Sequence, residues 1–258
     1  DYLENDEMAR QVGIGLARFH SICSDLDSSR ILNSISNFHN TIYYIDQYNN
    51  AINTDNLSKL DQETKSRTML LINRLSDHLN YLECLIPSIK KKVTDKKIIH
   101  GDPKLSNFLF DKNSKNVVSL IDLDTISTGS FLIDLADCIR SLCNLSGEDP
   151  VNDSTVYFDT NICRYFLEGY FSIENLQKVY PFRFLTEFVY LIISELTIRF
   201  LTDFLQSNKY FKIEYQTHNL SRAERQFQLL YSFLSQISNF SEILEERGIP
   251  TSPTFVSN

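Results

Sequence analysis

The stretch His100-Gly101-Asp102-Pro103-Lys104-Leu105-Ser106-Asn107, followed by Ile121-Asp122-Leu123-Asp124, decides how this chain is read. Asp102 and Asn107 stand five residues apart, and Asp122 stands twenty beyond Asp102. An apolar run, Val117-Val118-Ser119-Leu120-Ile121, reads as a strand that delivers the last carboxylate. This is the spacing of a phosphoryl-transfer site: one Asp for the attacking hydroxyl, then an Asn and an Asp as magnesium ligands. Such a reaction needs positioning and charge stabilisation more than covalent chemistry, and magnesium takes hard oxygen donors. Asp102 is therefore the candidate catalytic base, and Asn107 and Asp122 are the candidate metal and cofactor ligands. Lys104 is long enough to reach a transferred phosphate; the competing reading is an ordinary surface lysine. His100 is expected to be a packed, hydrogen-bonded structural residue. Asp124 has two readings, a metal or substrate contact and a loop cap.

Outward from that stretch, the only convincing β region consists of Lys97 to His100, Phe108 to Phe110 and Val117 to Ile121, the last two joined by the turn-rich Asp111 to Asn116. Everything else reads as helix or loop. Met8, Val12, Leu16 and Phe19 have helical spacing over residues 6–22. Gly13-Ile14-Gly15 lies inside that helix, and Arg18 stands where a third phosphate-loop glycine would fall, so the pair is expected to permit close helix packing. Residues 24–56, rich in Ser, Asn and Asp, read as a loop with short helical turns. Residues 57–86 read as one amphipathic helix with Leu60, Met69, Ile72, Leu75, Leu79 and Leu82 inward, ended or kinked by Pro87. Helices are expected again near Asp134–Arg140, Tyr157–Tyr170, Phe184–Leu205 and Ser221–Ile243. The fold class is α+β and mainly α, with a small β insertion carrying the polar cluster.

With 258 residues, 42% of them hydrophobic, the chain can bury a sizeable core. Its net charge of -8 argues against a nucleic-acid partner. No apolar stretch suits a membrane span and no signal peptide is visible. The five cysteines lack C-x-x-C spacing and read as reduced thiols in a cytoplasmic protein.

His100 to Phe110, and Ile121 to Thr125 through Asp137 to Arg140, resemble the catalytic core of the aminoglycoside phosphotransferase and choline kinase group. A third stretch, Glu195 to Leu205 with Tyr210 to Ile213 and His218 to Ala223, resembles the N-acetylhexosamine 1-kinases and their relatives; Gly15 to His20 adds to the likeness. The resemblance implies a protein-kinase-like fold, ATP and Mg2+ as cofactors, and a small sugar-like acceptor. It assigns Asp102 as base, Asn107 and Asp122 as magnesium ligands, and Arg199 and Tyr210 as acceptor contacts. Without it, Arg199 reads as a helix-surface ion-pair partner and Tyr210 as a core aromatic; Arg222 and His218 read as structural. It also implies an N-terminal ATP-binding lobe of roughly 100 residues, which is not part of the sequence from Asp1. Residues 1–258 then correspond to the C-terminal, substrate- and magnesium-binding lobe. The alternative is a non-catalytic kinase-like module that binds a metabolite or a protein. A protein kinase is disfavoured, because the interval from Asp122 to Asp134 is too short for an activation loop.

Overall fold

A computed structural model describes residues 3, 5–52, 55–94, 96–149, 155–173 and 182–251. It is α+β and mainly α, as the sequence implies. Eight α-helices are described: α1 (Asp6–Cys23), α2 (Thr41–Ile52), α3 (Gln62–Lys92), α4 (Phe131–Leu142), α5 (Thr160–Tyr170), α6 (Leu185–Leu205), α7 (His218–Ser235) and α8 (Ile237–Glu245). Four short strands, β1 (Lys97–Ile99), β2 (Phe108–Phe110), β3 (Val117–Leu120) and β4 (Ser127–Gly129), lie between α3 and α4.

The strands are nested. β2 and β3 form an antiparallel hairpin, with an irregularity between Leu109 and Phe110. β1 pairs antiparallel with β4 around it, Ile98 opposite Thr128. This nesting brings the β1–β2 and β3–β4 connections side by side, and those are the segments that carry Asp102 and Asp122. Strand β4 was not expected. Ser127-Thr128-Gly129 has no apolar alternation of its own, and pairing with β1 is what makes it a strand.

Helix α6 is the centre of the core. Nearly every side chain from Leu185 to Leu205 is buried, the apolar ones on all faces together with Glu187, Glu195 and Asp203. Helices α4 and α7 and the apolar face of α2 pack against it. Helix α1 lies on α5 at backbone contact. A Cβ on Gly13 would fall inside the Phe166 carbonyl oxygen, and one on Gly169 inside the carbonyl of Arg10. The two glycines permit the close crossing expected of the Gly13-Ile14-Gly15 pair. On its other side Gly15 meets Val117 of β3, where an added Cβ would stand 2.7 Å from Cγ1.

Four expectations need correction. Residues 41–52 are not loop but helix α2, because Thr41, Ile45, Tyr48 and Ala51 form a buried stripe against α6 that outweighs the poor helix propensity of their Asn and Tyr neighbours. Helix α3 begins at Gln62, capped by Asp61, and runs through Pro87 to Lys92. Pro87 sits on the exposed face between buried Ile86 and Ile89, so the carbonyl it deprives of a partner, that of Glu83, can turn to water. The inward row of α3 is Leu71, Leu75, Leu82, Leu85 and Ile89; Met69 is on the outer side at 38% exposure. The expected helix 221–243 is two helices, broken at Gln236.

Gly169→Ala sets two effects against each other. Helix propensity favours Ala by about 1 kcal/mol, whereas overpacking costs about 1–3 kcal/mol and here pushes against backbone that cannot rotate away. We expect net destabilisation in urea unfolding; a stabilised variant would show that α1 and α5 can separate freely.

Candidate functional site

The loop from His100 to Asn107 leaves β1 and is held by hydrogen bonds from several elements. Asp134, in the first turn of α4, accepts the backbone N–H of His100 at 2.7 Å and that of Gly101 at 2.8 Å. The Asp134 carboxylate also accepts His20 Nε2–H from α1 at 2.9 Å, and His20 Nδ1 accepts the Tyr170 hydroxyl of α5 at 2.9 Å. Both His20 and Asp134 are fully buried. Burial by itself would raise the Asp134 carboxyl, but the hydrogen bonds from His20 and from the two backbone N–H groups outweigh it and hold the group below its usual range. For His20 burial is the larger effect and lowers it. The pair is thus an ionised Asp134 with a neutral His20, protonated on Nε2.

Gly101 has φ +88°, and a Cβ there would stand 2.6 Å from the Thr125 carbonyl oxygen. Only glycine takes this corner without strain. His100 is buried. Its Nε2–H donates to the Ile121 carbonyl at 2.9 Å, its Nδ1 accepts the Asp102 N–H at 3.3 Å, and its carbonyl accepts Thr125 Oγ1 at 2.8 Å. His100 therefore sews the two loops together and has no free nitrogen for chemistry.

Asp102, Lys104, Asp122, Asp124, Arg199 and Tyr210 line one open cleft of about 390 Å³, together with Gly101. Lys104 Nζ donates to Asp102 Oδ2 at 2.7 Å. Burial would lower the Lys104 ammonium, but the carboxylates of Asp102, Glu148 and Asp137 together raise it. Asn107 lies beneath this pair, buried. Its amide nitrogen donates to the Asp102 carbonyl at 2.8 Å, which turns its Oδ1 to the other side. The Asn107 carbonyl accepts the Ile121 N–H at 2.9 Å, so one backbone bond ties Asn107 to the residue before Asp122. Asp122 itself is exposed and left-handed, φ +69°, with its side chain making no cap bond to the following turn. Asp tolerates that conformation better than most residues, though at a cost. Asp124 makes no cap bond in the described structure and faces the same cleft.

The acceptor-side candidates sit opposite. Arg199 is half-buried on α6 with its guanidinium among four rings: Tyr44 at 4.9 Å, Phe38 at 5.3 Å, Phe211 at 5.4 Å and Tyr210 at 5.8 Å. It is neither a surface ion-pair partner nor loosely held, because the aromatic faces fix its plane. Tyr210 is 64% exposed and so is not a core aromatic. Its backbone N–H and that of Phe211 are anchored on Asp203 at 2.8 and 3.0 Å. Arg222 and His218 both bond Asp149, at 2.6 and 3.1 Å, and hold the neighbouring loop.

Sequence reading missed several residues of this cleft. Buried Arg140 binds Asp137 at 2.8 Å and Glu148 at 2.5 Å. His39 and Glu195 bond each other at 3.0 Å and both face the cleft. Glu195 stands one helical turn before Arg199 and could have been found by that spacing; His39 stands in a polar segment that gave no signal. Among the described residues no helix is long and apolar enough to cross a membrane.

Asp134→Asn keeps the shape but offers one oxygen where three donors converge. It should lose about 3–5 kcal/mol of stability at neutral pH. Because the folded-state carboxyl is held low, its contribution is present above about pH 4 and is lost as pH falls further. The variant should therefore show a flatter acid limb in the same denaturation series, and an unchanged limb would move the linkage elsewhere.

Across 96% of its length the chain is similar to the crystal structure of choline kinase from Cryptosporidium parvum Iowa II, covering 68% of that chain at 16% identity and a TM-score of 0.46. Residues 2–160 match the family model described as phosphotransferase enzyme family. That match takes in more than half of the chain and all of His20, Asp102, Asn107, Asp122 and Asp134, and the chain belongs to this phosphotransferase family.

Proposed function

We propose that this chain is the acceptor- and magnesium-binding lobe of an ATP-dependent kinase that phosphorylates a hydroxyl of a sugar or amino sugar, such as an N-acetylhexosamine. The observation that carries the proposal is the cleft with Asp102 and Lys104 at one wall and Arg199 and Tyr210 at the other. Asp102 Oδ2 is engaged by Lys104, which leaves Oδ1 to accept a hydrogen bond from an acceptor hydroxyl and then its proton. The anchored loop holds that oxygen in one place, and orientation of the nucleophile is the main thing such a reaction asks of the protein. Lys104 supplies a cation beside the point of transfer.

Asn107 and Asp122 fit a magnesium site by their donor chemistry, an amide oxygen and an exposed carboxylate on two loops joined by one backbone bond. Bound there, magnesium would neutralise the phosphate oxygens of ATP. Asp122 carries an unpaired charge in a left-handed conformation, an arrangement that a cation would compensate. Arg199 and Tyr210 are proposed to bond the hydroxyl and acetamido oxygens of the acceptor, with the rings around Arg199 giving its guanidinium a fixed aim. An ATP-dependent enzyme with reduced thiols would work in the cytoplasm.

The test is phosphorus NMR of the full-length gene product with ATP, Mg2+ and N-acetylglucosamine or N-acetylgalactosamine. A sugar phosphate resonance supports the proposal; ATP left intact across a panel of sugars overturns it. Asp102→Asn should lower kcat by on the order of 10²–10⁴ with little change in thermal unfolding. Arg199→Ala should raise the acceptor KM by about 10- to 100-fold, the worth of a charged hydrogen bond, while kcat changes much less. An unchanged KM would remove Arg199 from the acceptor site.

A further inference from the structure

His39 stands in a short segment with two left-handed residues, Asn37 at φ 60° and His39 at φ 53°. The bend puts its ring between helix α6 and the catalytic loop, with a side chain only 8% exposed. Nδ1 lies 3.0 Å from Glu195 Oε1 and Nε2 lies 2.6 Å from the Gly101 carbonyl oxygen. A carboxylate and a carbonyl can only accept. A neutral imidazole has one N–H and one lone pair, so either tautomer would press a lone pair against an oxygen. Two acceptors at hydrogen-bond distance from both nitrogens require a ring with both nitrogens protonated.

The position of the second acceptor gives this charge a task. The Gly101 carbonyl belongs to the peptide whose N–H is that of Asp102. His39 grips the oxygen end of this peptide, and His100 Nδ1 accepts from its nitrogen end at 3.3 Å. One flat peptide unit, the one that aims Asp102, is thus held between two imidazoles.

We infer that His39 is a positioning residue for Asp102: as an imidazolium it ties the Gly101–Asp102 peptide to Glu195 of helix α6. The charged groups around it agree. Glu195 faces it from α6, with Thr41 Oγ1 of α2 also donating to that carboxylate, and Asp137 faces it from α4. Arg199 stands one turn on from Glu195, and Lys90 and Lys96 line the cleft behind the ring. Its own segment, residues 35–41, carries no other ionisable side chain. Burial opposes the charge, but the Glu195 charge and bond, Asp137 and the Gly101 carbonyl outweigh it, so the ring titrates above its usual value. Glu195 correspondingly lies below its own, where burial is again overcome, chiefly by His39. The bridge is complete below about pH 6.5 and is lost as pH rises through the higher folded-state value.

The role as positioning residue rests on the proposed kinase reading, and the test separates the two. In the full-length protein with 15N-labelled histidine, the His39 ring nitrogens should report imidazolium at pH 7. The backbone amides of Gly101 and Asp102 should move with the same midpoint as the ring titrates. Glu195→Gln offers an amide that can donate to Nδ1, so a neutral ring can satisfy both partners. The wild-type kcat with ATP and N-acetylglucosamine should fall on the alkaline side with the His39 midpoint; that variant should lower the midpoint by at least one pH unit and lose this fall. His39→Gln should lower kcat below the wild-type midpoint and approach the wild type above it, leave the acceptor KM within about twofold, and abolish the linked movement of the two amides. A neutral ring at pH 7, or Gly101 and Asp102 amides that ignore its titration, overturns the inference. If the nitrogen spectra behave as expected but no sugar is phosphorylated, the bridge stands and the kinase reading falls.

Discussion

The candidate site depends on one buried carboxylate. Asp134 accepts hydrogen bonds from two successive backbone N–H groups, those of His100 and Gly101, and from His20. A backbone N–H buried without a partner costs about 1–3 kcal/mol, and a loop that turns at φ +88° cannot pair these groups within itself. The Asp134 charge is in turn affordable only because three donors surround it. Remove the loop and the carboxylate is stranded; remove the carboxylate and the loop has nothing to hold its corner. Three elements, α1 through His20, α5 through Tyr170 and α4 through Asp134 itself, thus meet on a segment of two residues.

The cleft and its rim are built largely from opposed charges in direct contact. Asp102 has Lys104, Asp137 has Arg140, Asp149 has Arg222, and Glu195 has His39. Others differ. Asp122 and Asp124 face the cleft from an exposed loop without an ion pair among the described residues, and Arg199 has rings around it in place of a carboxylate in contact. A charge left without a charged neighbour beside a cleft is the kind of group a ligand can use.

Much of this was legible in the sequence, for physical reasons. The polar stretch from His100 to Asp124 has its spacing fixed by two short strands, and strands have only one period to detect. Helices α1 and α6 announce themselves by apolar spacing and by continuous apolar content. What stayed hidden was decided by tertiary partners. Helix α2 carries Asn and Tyr residues that are poor helix formers on their own, and is helical because its one apolar stripe finds α6. Strand β4 exists only as the partner of β1. Pro87 reads as a stop because sequence cannot tell which face of α3 meets water. His39 and Glu195 are 156 residues apart, and no local pattern connects them.

The nesting of the strands also sets an order of assembly. The β2–β3 hairpin closes a short turn, and β1 can find β4 once that hairpin has drawn them near, so this region can organise from local contacts. Its anchor cannot. His20 reaches Asp134 across 114 residues of chain, and α1 must also dock on α5. A folding chain would therefore have its β insertion in outline well before the loop bearing Asp102 is locked. The polar segment least able to satisfy its own backbone depends on partners far along the chain, α5 through Tyr170 and α6 through Glu195, and during synthesis its anchors are complete only once α6 has emerged.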